Sequence, residues 1–198
     1  MTFKVPKLNF EQDALEPYMS KETVHYHYDK HTQKYFDTTN ELIKGTTYEQ
    51  YKTLDELLPK LKKGSKLYNQ AMQAWNHQFW WEGLAPGHDY TSENAGEVAD
   101  RILLNWDSFG EFEKEMTEAG TKQFGSGWVW LVAKDKKLEV VATKDADRPD
   151  GKLLLVLDLW EHSHYLQYPA DRLKYLQATW NIINWKVVND RYERIDRA

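Results

Sequence analysis

Asp158 and His162 stand four positions apart, directly after the apolar run Leu153 to Leu157, and both can offer a lone pair to a metal ion. The run Leu-Leu-Leu-Val-Leu reads as a buried strand. A carboxylate at its end lies at the edge of a core, where an unpaired charge is costly. Asp158 therefore needs a cation, a set of hydrogen bonds or a metal. If the chain turns after the strand, His162 converges on the same point, with Trp160 and Glu161 left to wall and brace it. Taken alone, these residues fit equally well a buried Asp satisfied by backbone N–H groups beside a satisfied His.

Other candidate ligands fall where helices would present them. His27, His31 and Tyr35 recur every four residues in a stretch that begins at the cap Ser20 and reads as helix to about Ile43. A step of four drifts by only about 40° around a helix, so all three share one face. Lys30, Lys34 and Asp29 allow a plainer reading of that face as a wet surface. Gln73 and His77 are also four apart, in a second helix from about Leu67 to Trp81, beside Trp75, Trp80 and Trp81. A single His among tryptophans is more often a satisfied core residue than a ligand. Two antiparallel helices, each with one inward His, can nevertheless bring two nitrogens to a shared point.

The elements that would position these residues form an α+β chain. Residues 1–19 read as an extended arm, interrupted by Pro6 and Pro17. A short helix from Tyr51 to Leu58 and a basic link from Lys60 to Ser65 connect the two long helices. Gly83 to Tyr90, rich in Gly and Pro, is the expected boundary between two domains. The first, residues 1–86, is an N-terminal antiparallel helical hairpin. The second, residues 87–198, is a helix-rich domain with a small three-stranded antiparallel sheet. Its helices are expected over Thr91–Leu104 and Asp107–Ala119. Trp128–Ala133 and Leu138–Thr143 make a hairpin across Lys134 to Lys137, and residues 153–159 supply the third strand. A short helix is expected up to Tyr168. A final helix runs from about Asp171 to Asp190, with apolar residues at 173, 176, 180, 183 and 187. His25 and His88 read as surface residues.

Composition narrows the chemistry. The chain has 198 residues, 41% of them hydrophobic, enough for a substantial core. Nine Trp and twelve Tyr supply rings that can line a protected site as well as fill a core. There is no Cys, so thiolate nucleophiles, Cys–zinc sites and iron–sulfur clusters are excluded, and any metal must be held by nitrogen and oxygen. A net charge of −5 argues against broad nucleic-acid binding. No stretch reaches the ~20 apolar residues of a membrane span, and the first residues lack a signal peptide's apolar centre. The expected location is cytoplasmic; a mature organellar form would read the same.

Three histidines and an aspartate without sulfur suit Fe, Mn or Zn. The set His27, His31 and Tyr35, then Trp75-Asn76-His77, Phe124-Gly125-Ser126-Gly127-Trp128 and Asp158-x-Trp160-Glu161-His162, resembles the iron/manganese superoxide dismutase family over nearly the whole chain. The resemblance implies that His27, His77, Asp158 and His162 ligate one metal, with a water or hydroxide as fifth ligand. It implies a metal cycling between +2 and +3, oxidising one superoxide to dioxygen and reducing the next to hydrogen peroxide. Tyr35 is similar to the family's gateway tyrosine and His31 to the residue outside it in the access funnel, with Lys30 and Arg172 as basic funnel residues. Gln73 matches the glutamine that hydrogen-bonds the metal-bound solvent. In iron-type members that glutamine precedes the second ligand by four residues; in manganese-type members it comes from the hairpin region, where this chain has Ala146. Iron is therefore expected, with manganese as an alternative. The resemblance also implies a homodimer in which Glu161 bonds His162, and Tyr165 bonds His31, of the other subunit. Thr32, His164, Trp80 and Asp29 depart from the family's usual residues; Thr32 and His164 are expected near the dimer interface. The competing readings are a zinc hydrolase or non-haem iron oxygenase using part of the set, and a non-catalytic metal-binding or assembly protein with this fold.

Overall fold

The computed structural model describes residues 2–87, 96–134 and 137–196. His88, the expected helix start at Thr91 and the middle of the turn from Lys134 to Lys137 lie outside the described residues.

Helix formation in the first half begins at Ser20, whose hydroxyl accepts the Thr23 N–H at 3.2 Å and so caps α1 (Lys21–Val24). The helix then widens. His25–Thr32 is a π-helical stretch, and ordinary α geometry resumes in α2 (Gln33–Ile43). Even spacing by four gives no sign of this change. A π turn moves each carbonyl's partner one residue further on, and Thr32 supports it from its side chain, donating to the His27 carbonyl at 2.9 Å. The expected Tyr51–Leu58 helix is broken up: Thr47–Gln50 is 3₁₀, α3 is only Leu54–Leu57, and Pro59 falls in a closing 3₁₀ turn. α4 (Lys66–Glu82) is capped by the Ser65 hydroxyl and ends at the buried Gly83. α2 and α4 are the two legs of a helical hairpin, closed by a cluster that includes Phe36, Ile43, Leu57, Leu58 and Met72.

The second half opens with α5 (Gly96–Asn105) and α6 (Phe109–Lys122), the latter capped by Ser108. The sheet follows. β1 (Gly127–Lys134) lies between β2 (Lys137–Lys144) and β3 (Lys152–Asp158), antiparallel to both. Every residue of β1 except Lys134 is buried, which explains its continuous apolar run. Trp128 pairs with Thr143 on one side and Asp158 on the other, so the start of the central strand fixes the position of Asp158. Gly127 makes this pairing possible, since a Cβ there would run into the Thr143 carbonyl. α6 packs on the same region through Gly120, where a Cβ would lie 2.9 Å from Leu176 and 3.2 Å from Leu159.

Two expectations after β3 need correction. The segment following His162 is a 3₁₀ turn, Glu161–Ser163, and then irregular turns. The final helix is two helices, α7 (Arg172–Thr179) and α8 (Trp185–Asp196), separated by a 3₁₀ turn and a break at Ile183 and Asn184. The apolar period continues through the break because Trp180 and Ile183 are both buried. The backbone there serves another purpose: Ala85 N–H donates to the Ile182 carbonyl at 2.9 Å, and Asn184 N–H to the Gly83 carbonyl at 2.8 Å. These groups join the end of the hairpin to the second half and cannot also stay helical. Asn184 then caps α8 through Val187 N–H. Among the described residues, no helix is long and apolar enough to cross a membrane.

Candidate metal centre

His27 from the π stretch, His77 from α4, Asp158 from the end of β3 and His162 from the following 3₁₀ turn meet at one point. One ligand atom from each lies within 4.8 Å of all the others. His27, His77 and Asp158 are fully buried, and the His162 side chain is 10% exposed. The Asp158 Oδ2 is 3.1 Å from His27 Nε2, 3.7 Å from His77 Nε2 and 3.4 Å from His162 Nε2. His77 Nε2 and His162 Nε2 face each other at 3.2 Å.

These spacings fit a metal. Donors held about 2.1 Å from one ion lie roughly 3 to 3.6 Å apart when they are neighbours in its shell. The donors are also held in reserve. His27 Nε2 and Asp158 Oδ2 are buried 3.1 Å apart with no partner outside the cluster among the described residues. Asp158 Oδ1 accepts Trp160 N–H at 2.8 Å, which turns Oδ2 to the centre. His77 Nδ1 is bonded to the Gln73 carbonyl at 2.8 Å, leaving Nε2 as the lone-pair donor.

The electrostatics agree with the geometry. Burial lowers His27 to about 4 despite the neighbouring Asp158 carboxylate, and lowers His77 well below the ordinary histidine range. Both rings are therefore neutral near pH 7. Burial alone would raise Asp158, but the hydrogen bonds and charges of His162 and His27 outweigh it and hold the carboxyl well below its usual range. Neutral imidazoles with an ionised carboxylate form a donor set for a di- or trivalent ion.

Around this point stand the other residues singled out in the sequence. Trp128 Nε1–H donates to Gln73 Oε1 at 3.2 Å. An indole can only donate, so the Gln73 amide is turned with its oxygen to Trp128 and its NH₂ to the site, 3.4 Å from the Tyr35 hydroxyl. Tyr35 packs on His77 with ring centroids 4.9 Å apart, and burial raises its phenol above the ordinary value. His31 is exposed and stacks on His162 at 4.4 Å, 19° from parallel. The stripe of His27, His31 and Tyr35 thus runs from the buried centre to the surface. Outside it, Tyr26, His31, Glu161, His162, Tyr165 and Leu166 line an open hollow of about 320 Å³.

Some neighbours were not legible in the sequence. Thr32, expected near an interface, is fully buried and bonded to Trp81 as well as to His27. His164 is also buried, its ring against Tyr175. Lys30 and Lys34 are exposed. Arg172 is half-buried and donates to the Gln123 and Gly125 carbonyls at 2.6 and 2.9 Å, bracing the loop before β1. Ala146 is buried, its carbonyl accepting from Asn76, and it brings no amide side chain to the place from which a manganese-type glutamine would come. His25 is half-buried and bonded to Asp29 at 2.7 Å.

A helical hairpin and a helix-covered antiparallel sheet are joined around three histidines and an aspartate that could hold one metal ion, two of them from each half. Residues 2–85 match the model of the iron/manganese superoxide dismutase alpha-hairpin domain, and residues 94–191 match that of the C-terminal domain. The chain belongs to the iron/manganese superoxide dismutase family. It is 43% identical over 192 residues to the protein of Salmonella typhimurium named superoxide dismutase [Fe], covering 95% of this chain and 97% of that one. A protein of the same name from Entamoeba histolytica is 42% identical over 194 residues, with 96% of this chain and all of that one covered. The protein of Staphylococcus aureus named superoxide dismutase [Mn/Fe] 2 is 39% identical over 201 residues, covering 98% of each.

Proposed function

We propose that this protein is a superoxide dismutase that converts two superoxide anions to dioxygen and hydrogen peroxide at one metal ion, with iron as the metal. The observation that carries this reading is the convergence of His27, His77, Asp158 and His162 on one point within a chain that matches relatives named superoxide dismutase [Fe] over 95% or more of its length. When bound, the metal supplies one-electron redox chemistry between its +2 and +3 states.

The protein's own residues provide access, polarity and protons. A small anion approaches through the hollow beside His31 and His162, drawn by local field and not by net charge; exposed Lys30 and Lys34 are the nearest cations by sequence. Tyr35 stays protonated because burial raises its phenol, so it can donate a hydrogen bond toward the centre. Gln73 directs its NH₂ to the same side, held by Trp128. A donor from that position would favour a hydroxide over a water on a metal held by the cluster, and so would bias the metal's potential. Support for iron is the placement of this amide on α4, together with Ala146 at the alternative position. Protons for peroxide come from the solvent side, where His31 is exposed against His162, and past Tyr35, which lies against His77.

We also read the chain as two units, 1–86 and 87–198, whose junction builds the site. A homodimer is the further reading. Glu161 and Tyr165 are exposed at the rim of the hollow, flanking His162 and His31, as residues would be if a second subunit's His162 and His31 were their partners. A non-catalytic relative that keeps only the fold is disfavoured by the complete donor set and by the ordered Gln73–Tyr35 pair.

The test is to strip the metal, reload separate samples with iron, manganese and zinc to verified stoichiometry, and follow superoxide decay. Activity with iron and none with zinc is expected. No activity with any metal would leave the binding-protein reading. His77→Ala should abolish metal retention in a folded chain, and a full metal content in that variant would sink the ligand assignment.

A further inference from the structure

We propose that Thr32 is a positioning residue for His27, passing a hydrogen-bond constraint from the indole of Trp81 to the backbone of that ligand's own residue; the inference rests on His27 being a metal ligand.

It starts from an asymmetry between two buried histidines. A metal-binding imidazole usually gives its second ring nitrogen to an acceptor, which fixes the ring's rotation. His77 does so through Nδ1 and the Gln73 carbonyl at 2.8 Å. His27 does not: its Nδ1 is buried and has no hydrogen-bond partner among the described residues. Its ring must be fixed from elsewhere.

Trp81 and Thr32 supply the alternative. The Trp81 ring meets the His27 ring edge-on, 4.9 Å between centroids at 61°. Its Nε1–H donates to Thr32 Oγ1 at 2.9 Å, and Thr32 Oγ1–H donates to the His27 carbonyl at 2.9 Å. The direction is unambiguous, because an indole N–H is only a donor and a carbonyl only an acceptor. Thr32 is fully buried, so no water competes for either bond. One indole therefore holds His27 twice, by ring contact and through the hydroxyl to its backbone. The π-helical stretch His25–Thr32 places Thr32 where its side chain can reach the carbonyl five residues back. Tyr28 closes the other side, its ring edge-on to Trp81 at 5.6 Å and its hydroxyl donating to the Pro6 carbonyl at 2.6 Å.

The test uses the iron-loaded full chain and three variants: Thr32→Val, which removes the hydroxyl at similar volume; Thr32→Ser, which keeps it; and Trp81→Phe, which keeps a ring and removes the N–H. Two readouts are the rate of iron release to a strong chelator and the electron paramagnetic resonance spectrum of the ferric site. Thr32→Val should release iron about tenfold faster, in the range that loss of a residue supporting a ligand produces, with an altered spectrum. Thr32→Ser should stay within about twofold of the parent, and Trp81→Phe should follow Thr32→Val. The proposal is overturned if Thr32→Val keeps the parent's release rate and spectrum, or if Thr32→Ser shifts as far as Thr32→Val. A lower melting temperature with an unchanged spectrum would also overturn it, by assigning Thr32 to packing alone. If Thr32→Val does not fold, Trp81→Phe decides, and parental release and spectrum there overturn the proposal. His27→Ala separates the two levels. Full iron retention in that variant removes the ligand reading itself, whereas iron loss there with an unchanged Thr32→Val removes only this inference.

Discussion

Gln73 shows how one side chain can be fixed by the donor-only character of another. Because Trp128 claims its oxygen, its NH₂ has only the site to serve. Gln73→Ala should keep near-stoichiometric metal but lower turnover roughly 10- to 100-fold and move the reduction potential; an unchanged potential would remove the account given for iron. Acid sensitivity follows from the same centre. His27 titrates at about 4 in the metal-free fold and near 6.5 when unfolded, so between these values the unfolded chain binds the extra proton. The contribution of His27 to the stability of the metal-free protein is therefore complete above pH 6.5 and is lost as pH drops toward 4, on the order of 3 kcal/mol. Urea midpoints across that range test this, and a flat profile would contradict a neutral, buried His27. At this scale the sequence was informative about ionisable residues: Asp158 and His162 stand out because they end an apolar run. Thr32 does not, since both its partners depend on a helix register and on a tryptophan 49 residues away.

Among elements, regular local chemistry was legible and exchanged backbone bonds were not. Ser20 caps α1 in the way its position suggests, and the three strands fall where apolar runs place them, whereas the cap at Ser108 lies inside the stretch expected to be helical from Asp107. The π stretch was hidden because spacing by four suits either helix type at one face. The break at Ile183 was hidden because its cause lies in Gly83 and Ala85, far away in the chain. Close approach at β1 is a feature that can be probed directly. Gly127→Ala should cost about 1–3 kcal/mol, since the added methyl meets backbone at Thr143 and not a yielding side-chain tip. The loss should carry over to metal retention, because Trp128, next in the strand, aligns Asp158. A urea midpoint equal to the parent's would show that the strands can separate at this point at little cost.

For the whole molecule, the exposed rim of Tyr26, Glu161, Tyr165 and Leu166 bears on assembly. Under the homodimer reading, Tyr165→Ala should weaken self-association roughly tenfold, the effect of losing about 1.4 kcal/mol from a central interface aromatic. Sedimentation over a concentration series measures it. A parent protein that is monomeric at every concentration would discard the reading. A helical hairpin followed by a helix-and-sheet part was visible in the order of helical and strand patterns, whereas the bridge of Leu84 to Ile183 was not, being a pairing of two isolated residues. The order of the donors along the chain sets a timetable for metal capture during synthesis. His27 and His77 emerge early, while Asp158 and His162 follow only near the end, on the order of ten seconds after His27 at about 5–20 residues per second. Until then the nascent hairpin can offer an ion two nitrogens and no carboxylate from this set. Under the ligand reading, tight capture therefore waits for β3 and the turn after it, and the two-nitrogen hairpin made first can hold an ion only loosely.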